Sequence, residues 1–161
     1  MDNNQAIKLS EDFVQKSIKK YLARKGWNYN FVGKSLHEQG VDIVVRDGNN
    51  KHKARYLFIE CKGRSYAASA RSIAETNFLF ALGQLVTRMK VIAKNAYLYG
   101  LGLPEESANK ALKRIPWQVA THLSLRVFSV DDAGMGTEFT PRDFRNSQSI
   151  KKISQSGGLV K

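Results

Sequence analysis

Three ionisable side chains sit inside two runs of strand-forming residues, and few folds tolerate that. The first run is Gly40-Val41-Asp42-Ile43-Val44-Val45, and the second is Tyr56-Leu57-Phe58-Ile59-Glu60-Cys61-Lys62-Gly63. Between them, Asp47-Gly48-Asn49-Asn50 is a strong turn signal, so the two runs predict a β-hairpin. A charge costs several kcal/mol to bury unless it is paired or binds a metal. Strand alternation sets Asp42 on the face opposite Val41 and Ile43. It gives Glu60 and Lys62 a common face, about 7 Å apart along the strand, with Cys61 turned away. If pairing brings Asp42 to the Glu60 end, the two carboxylates make an oxygen site for Mg²⁺ or Mn²⁺, and the backbone carbonyl of Cys61 adds a ligand. Such an ion polarises a phosphate and acidifies a bound water, while Lys62 orients that water or stabilises developing charge. The bland alternative is a surface ion pair between Glu60 and Lys62, worth about 0–1 kcal/mol. The apolar run Leu57-Phe58-Ile59 weighs against it.

The rest of the chain supplies helices around this hairpin. Ser10 is a plausible N-cap, with Glu11 and Asp12 in the first turn and Val14, Ile18, Tyr21 and Leu22 at helical spacing until Gly26. Residues 29–33 read as a short strand, 41–46 and 55–62 as the hairpin strands, and 69–92 as a long, well-buried helix. Residues 96–103 form another strand. Pro104 starts a helix that Ile115-Pro116 breaks, and 125–130 is a further strand. This order, αβββαβαβ, predicts an α/β domain with a central mixed sheet flanked by helices. The domain is expected over residues 1–144, with a basic, flexible tail over 145–161.

Two residues sharpen the site. Glu11 falls on the same side of its helix as Val14, Ile18 and Leu22, from which it reaches a metal directly or through water; alternatively it is a helix-dipole acid. Gln84 lies among apolar residues, where its amide needs partners. It holds a water or a phosphate oxygen near the site, or it bonds to backbone. His37, near Asp42, is a candidate proton shuttle or phosphate contact, or, as a lone loop histidine, neither.

The formal net charge of +12 over 161 residues points to a polyanionic partner, nucleic acid or an acidic membrane surface. No apolar stretch approaches the length of a membrane span, and the single cysteine, Cys61, excludes an intramolecular disulfide; an intracellular, cytoplasmic protein is expected. Lys16, Lys20, Lys34, His37, Arg46, Lys53, Arg55, Arg64 and Arg88 are the candidate phosphate contacts, giving salt-sensitive, largely sequence-independent affinity. A solvated outer face explains the lysines of the first helix equally well.

The pattern Asp42…Glu60-Cys61-Lys62, with Glu11 in a preceding helix and Gln84 in the following one, resembles the PD-(D/E)XK nuclease superfamily. The run from Leu22-Ala23-Arg24-Lys25-Gly26-Trp27 through Gly40-Val41-Asp42-Ile43 to Ile59-Glu60-Cys61-Lys62-Gly63 is similar to archaeal Holliday-junction resolvases and Mrr-type restriction nucleases. Val41 stands where the superfamily's name has proline, a variable position without a chemical role. The resemblance implies a restriction-endonuclease-like αβββαβ core and Mg²⁺-dependent DNA hydrolysis leaving a 5′-phosphate. It implies Asp42 and Glu60 as metal ligands, Lys62 as the active-site lysine, Glu11 as the helix-borne acid and Gln84 as the helix glutamine. DNA is favoured over RNA on this resemblance, not on charge. Paired incision of branched DNA would call for a homodimer, and the missing sequence-reading module leaves specificity to substrate shape or to partner proteins. The alternatives are a non-catalytic DNA-binding module on the same fold and an RNA-cleaving or toxin relative.

Overall fold

The computed structural model describes residues 9–28, 40–47, 55–64, 70–89 and 97–156. Helix α1 (Glu11–Arg24) precedes strands β1 (Trp27–Asn28), β2 (Ile43–Asp47) and β3 (Tyr56–Cys61). Helix α2 (Ala70–Thr87) leads to β4 (Tyr97–Pro104), followed by α3 (Glu105–Arg114) and α4 (Trp117–His122). Strands β5 (Leu125–Val130) and β6 (Gly136–Phe139) and helix α5 (Pro141–Ser156) complete the order.

The strands form one six-stranded mixed sheet in chain order. β1, β2 and β3 are antiparallel neighbours, β3, β4 and β5 run parallel, and β6 returns antiparallel. Parallel neighbours need a crossover, and α2 and then α3–α4 provide one each. The molecule is therefore an α/β fold with a central mixed sheet, and its elements from α1 through β4 run in the expected αβββαβ order.

Alternation along the strands divides the core in two. On one face Ile43, Val45, Leu57, Ile59, Cys61, Phe128 and Val130 pack against Val14, Ile18 and Leu22 of α1. On the other, Val44, Phe58, Leu101, Leu103, Leu125 and Val127 meet Phe78, Ala81 and Leu85 of α2, Ala108 and Ala111 of α3, and Phe144 of α5. α1 begins as its sequence predicts: the Ser10 side chain accepts from the Phe13 N–H at 3.2 Å, closing the first turn.

Several expectations need correcting. The helix read over 69–92 is described as Ala70–Thr87, and it is not well buried. Leu79, Phe80 and Val86 are exposed, because a helix packed on one sheet face leaves its outer side uncovered. Pro104 is the N-cap of α3 rather than its first residue. α4 and β6 escaped the sequence reading, being only 6 and 4 residues long. The strand expected over 29–33 lies outside the described residues; β1 is Trp27–Asn28, paired with Asp47 and Arg46. The tail expected from Arg145 is helical as far as Ser156. Its polar composition misled, because the anchors are polar: Gln148 donates to the carbonyls of Leu112 and Ile115 at 3.0 and 2.7 Å and accepts from the Trp117 N–H at 3.1 Å. Among the described residues no helix is long and apolar enough to cross a membrane.

Candidate active site

The hairpin register sets the site. Ile43 pairs with Ile59, and the partner sum continues one step to put Asp42 opposite Glu60 at the end of β3. Asp42 stands just before β2, so its side chain is free to turn toward the neighbouring strand; its Oδ2 accepts from the Cys61 N–H at 2.7 Å. A strand residue's N–H and C=O point to the same side, so the Cys61 carbonyl shares the side that Asp42 occupies.

Glu60 lies on the α2 side of the sheet with Phe58, and it is 2 % exposed. A solvated surface pair with Lys62 is therefore the wrong description. Lys62 Nζ is 3.4 Å from Glu60 Oε1 and 3.7 Å from Glu11 Oε2. Arg88, just beyond α2, bonds the other Glu60 oxygen, Oε2. Burial and the neighbouring Asp42 push the Glu60 carboxyl above its usual range, against the pull of Arg88 and Lys62. Burial and then the carboxylates of Asp42, Glu60 and Glu11 push the Cys61 thiol well up, so Cys61 is an inert core side chain rather than a nucleophile.

Gly63 fixes this group in space. A Cβ there would lie 2.6 Å from the Ser10 carbonyl carbon and 2.7 Å from the Leu9 oxygen, and would collide with the Glu11 backbone nitrogen. Only glycine lets the start of α1 pack against the residue after Lys62. Arg64 N–H donates to the Leu9 carbonyl at 2.7 Å, and Asn77 of α2 donates to the Gly63 carbonyl at 2.6 Å. Helices on both faces of the sheet thus grip the same residue. Neither Gly63 nor Asn77 was expected to matter; glycine directly after an E-x-K triplet was the only available hint.

Asp42, Glu60, Cys61 and Lys62 come together as the sequence suggests, and Glu11 joins only through Lys62. The Glu11 side chain is 46 % exposed instead of core-facing, because the first residue of α1 overhangs the end of the sheet. Among the described residues no three His, Cys, Asp or Glu side chains group as a metal-ligand set, and the ion pair of Glu11 runs to Lys62. Gln84 is not bonded to that pair: the hydrogen bonds at Asp42 and Glu60 run to Cys61, Lys62 and Arg88. Its Oε1 is buried without a hydrogen-bond partner, beside a groove lined by Thr76, Leu79, Phe80, Gly83 and Thr87 on the outer side of α2.

The expected phosphate contacts scatter. Arg46 and Arg55 sit at the turn end of the hairpin, four and five residue pairs from Glu60 and about 13 and 17 Å away at ~3.3 Å per residue. Arg55 is bound there to Asp47 at 2.6 Å. Arg64 is close to Lys62 in sequence but faces Glu106 and Asp132 at 3.7 and 3.9 Å. Lys16 pairs with Asp12 at 2.7 Å on the solvated side of α1, and Lys20 is exposed there too. Arg88 is a partner of Glu60 instead of a free phosphate ligand. Lys34, His37 and Lys53 lie outside the described residues.

Compared with protein-family models, curated proteins and solved structures, the chain matches none of them.

Asp42 and Glu60, with the Cys61 carbonyl on the Asp42 side, are the groups that could hold a Mg²⁺ ion, which keeps several waters and takes only one or two carboxylates from a protein.

Proposed function

We propose that the chain is a divalent-metal-dependent DNA endonuclease of the PD-(D/E)XK kind, hydrolysing phosphodiester bonds to leave a 5′-phosphate. The observation that carries this reading is the buried Glu60 facing Asp42 across paired strands, with the Lys62 ammonium 3.4 Å from it. Burying one carboxylate beside another works against folding, and a metal-dependent reaction gives the arrangement a use.

Asp42, Glu60 and the Cys61 carbonyl would hold Mg²⁺, or Mn²⁺ in its place. When bound, the ion supplies Lewis acidity toward a phosphate oxygen and a water made acidic. The Lys62 ammonium orients the attacking water or offsets the charge that grows on the phosphate. Glu11, 3.7 Å from that ammonium on its exposed side, steers Lys62. Glu60 is shielded from bulk water on the face where Phe58 packs in the core. The net charge of +12 supports a polyanionic substrate, and DNA in particular rests on the family resemblance.

The test incubates the protein with supercoiled plasmid, a four-way junction, single-stranded DNA and RNA, in Mg²⁺, Mn²⁺ or EDTA. Metal-dependent DNA cleavage is expected, reduced about 100-fold or more by Lys62→Ala and by Glu60→Ala. DNA binding without cleavage in either metal would instead make this a non-catalytic module, and cleavage of RNA alone would make it a ribonuclease.

A further inference from the structure

Two cationic side chains already contact Glu60. Both oxygens of Glu60 are engaged, Oε1 by Lys62 at 3.4 Å and Oε2 by Arg88. Arg88 follows Thr87, the last residue of α2, and its N–H is held by the Leu85 carbonyl at 3.1 Å. Its guanidinium lies over Gly40: a Cβ there would be 3.4 Å from Nη2 and 3.5 Å from Cζ. The guanidinium therefore spans from the start of the β2 segment, two residues before Asp42, to the end of β3. A Cβ at position 40 would make ordinary van der Waals contact with it, and the positive φ of +73° favours glycine there.

We propose that Arg88 is the resident counter-cation of Glu60 and that a divalent ion at the Asp42–Glu60 pair displaces it. This rests on the metal-dependent reading above. Glu60 is enclosed and held by its strand, whereas the Arg88 side chain is 29 % exposed and belongs to a helix end, so Arg88 is the partner with freedom to leave. A divalent ion in contact with the same carboxylate repels the guanidinium while replacing the charge it supplied. Release then frees a rigid, forked donor whose geometry matches a phosphate, beside the metal. Arg88 is in this sense a positioning residue: it holds Glu60 Oε2 in the metal-free protein and becomes available to the DNA backbone once the metal is loaded.

Mn²⁺ binding tests this without DNA or turnover. The metal-stripped full chain is titrated with MnCl₂ at pH 8, and free Mn²⁺ is read by electron paramagnetic resonance. Arg88→Gln, which removes the competing charge, is expected to bind Mn²⁺ about tenfold more tightly than wild type. Arg88→Lys, which keeps the charge, stays near wild type, and Glu60→Gln loses binding. Unchanged or weaker binding by Arg88→Gln, with binding still lost in Glu60→Gln, overturns the displacement while leaving the metal site standing. Absence of Mn²⁺ binding in wild type and Arg88→Gln alike overturns both. If Arg88→Gln does not fold, the wild-type protein still decides: on adding Mg²⁺ the Arg88 Nε–H resonance moves toward that of solvent-exposed arginines, and an unmoved resonance at saturating Mg²⁺ overturns the proposal.

Discussion

Glu60 concentrates the conflict between stability and use in a single side chain. Burial and Asp42 raise its carboxyl above the usual range, so the folded protein takes up a proton at Glu60 more readily than the unfolded chain does. Ionised Glu60 therefore destabilises the metal-free fold at all pH values above the raised folded value. That penalty shrinks as pH falls through the folded value and is gone below the unfolded one. In EDTA, the stability from urea denaturation should decline as pH rises across the window just above the ordinary glutamate range. Glu60→Gln should flatten that decline, and parallel wild-type and Glu60→Gln profiles would refute the assignment. Single residues such as Asp42, Glu60 and Lys62 were legible in the sequence because charges inside apolar strand runs are conspicuous. Arg88 as the Glu60 partner was not, since 28 residues separate the two and only the packing of α2 on the sheet joins them.

At the scale of elements, the site depends on where α1 and α2 dock. Gly63→Ala is expected to cost about 1–3 kcal/mol in chemical denaturation, since its Cβ meets backbone rather than a movable side chain. It should also lower cleavage by shifting Lys62 relative to Glu60. A variant of wild-type stability would show that the start of α1 yields easily. α5 makes a similar demand through Gln148, which closes three hydrogen bonds to the turn between α3 and α4. Gln148→Ala should therefore lose about 1–3 kcal/mol, read as a lower urea midpoint, because it strands partly buried carbonyls and an N–H. Hydrophobic periodicity exposed α1, β2, β3, β4 and β5. It missed β6, α4 and α5, whose positions are set by pairing and capping contacts more than by an apolar stripe.

For the molecule as a whole, charge and site are separable. Arg46 and Arg55 lie at the far end of the hairpin, and Arg55 is paired with Asp47. Arg55→Ala is accordingly expected to leave metal-dependent cleavage within about twofold of wild type, while DNA affinity still falls steeply with salt, because only one charge of the wild-type excess of +12 is removed. A large loss of cleavage in that variant would move the nucleic acid across the hairpin turn. The sequence by itself determined the α/β class, the hairpin and the kinds of chemical group at its end, because period-two alternation and turn residues are local properties. Only the tertiary structure decided that Glu60 is buried near Asp42, that Arg88 completes its partners, that Glu11 pairs with Lys62 and that Gln84 Oε1 is left without a hydrogen-bond partner. Those facts depend on how far each helix overhangs the sheet and on which side chains meet across it, and the spacing of residues along a chain does not encode either distance.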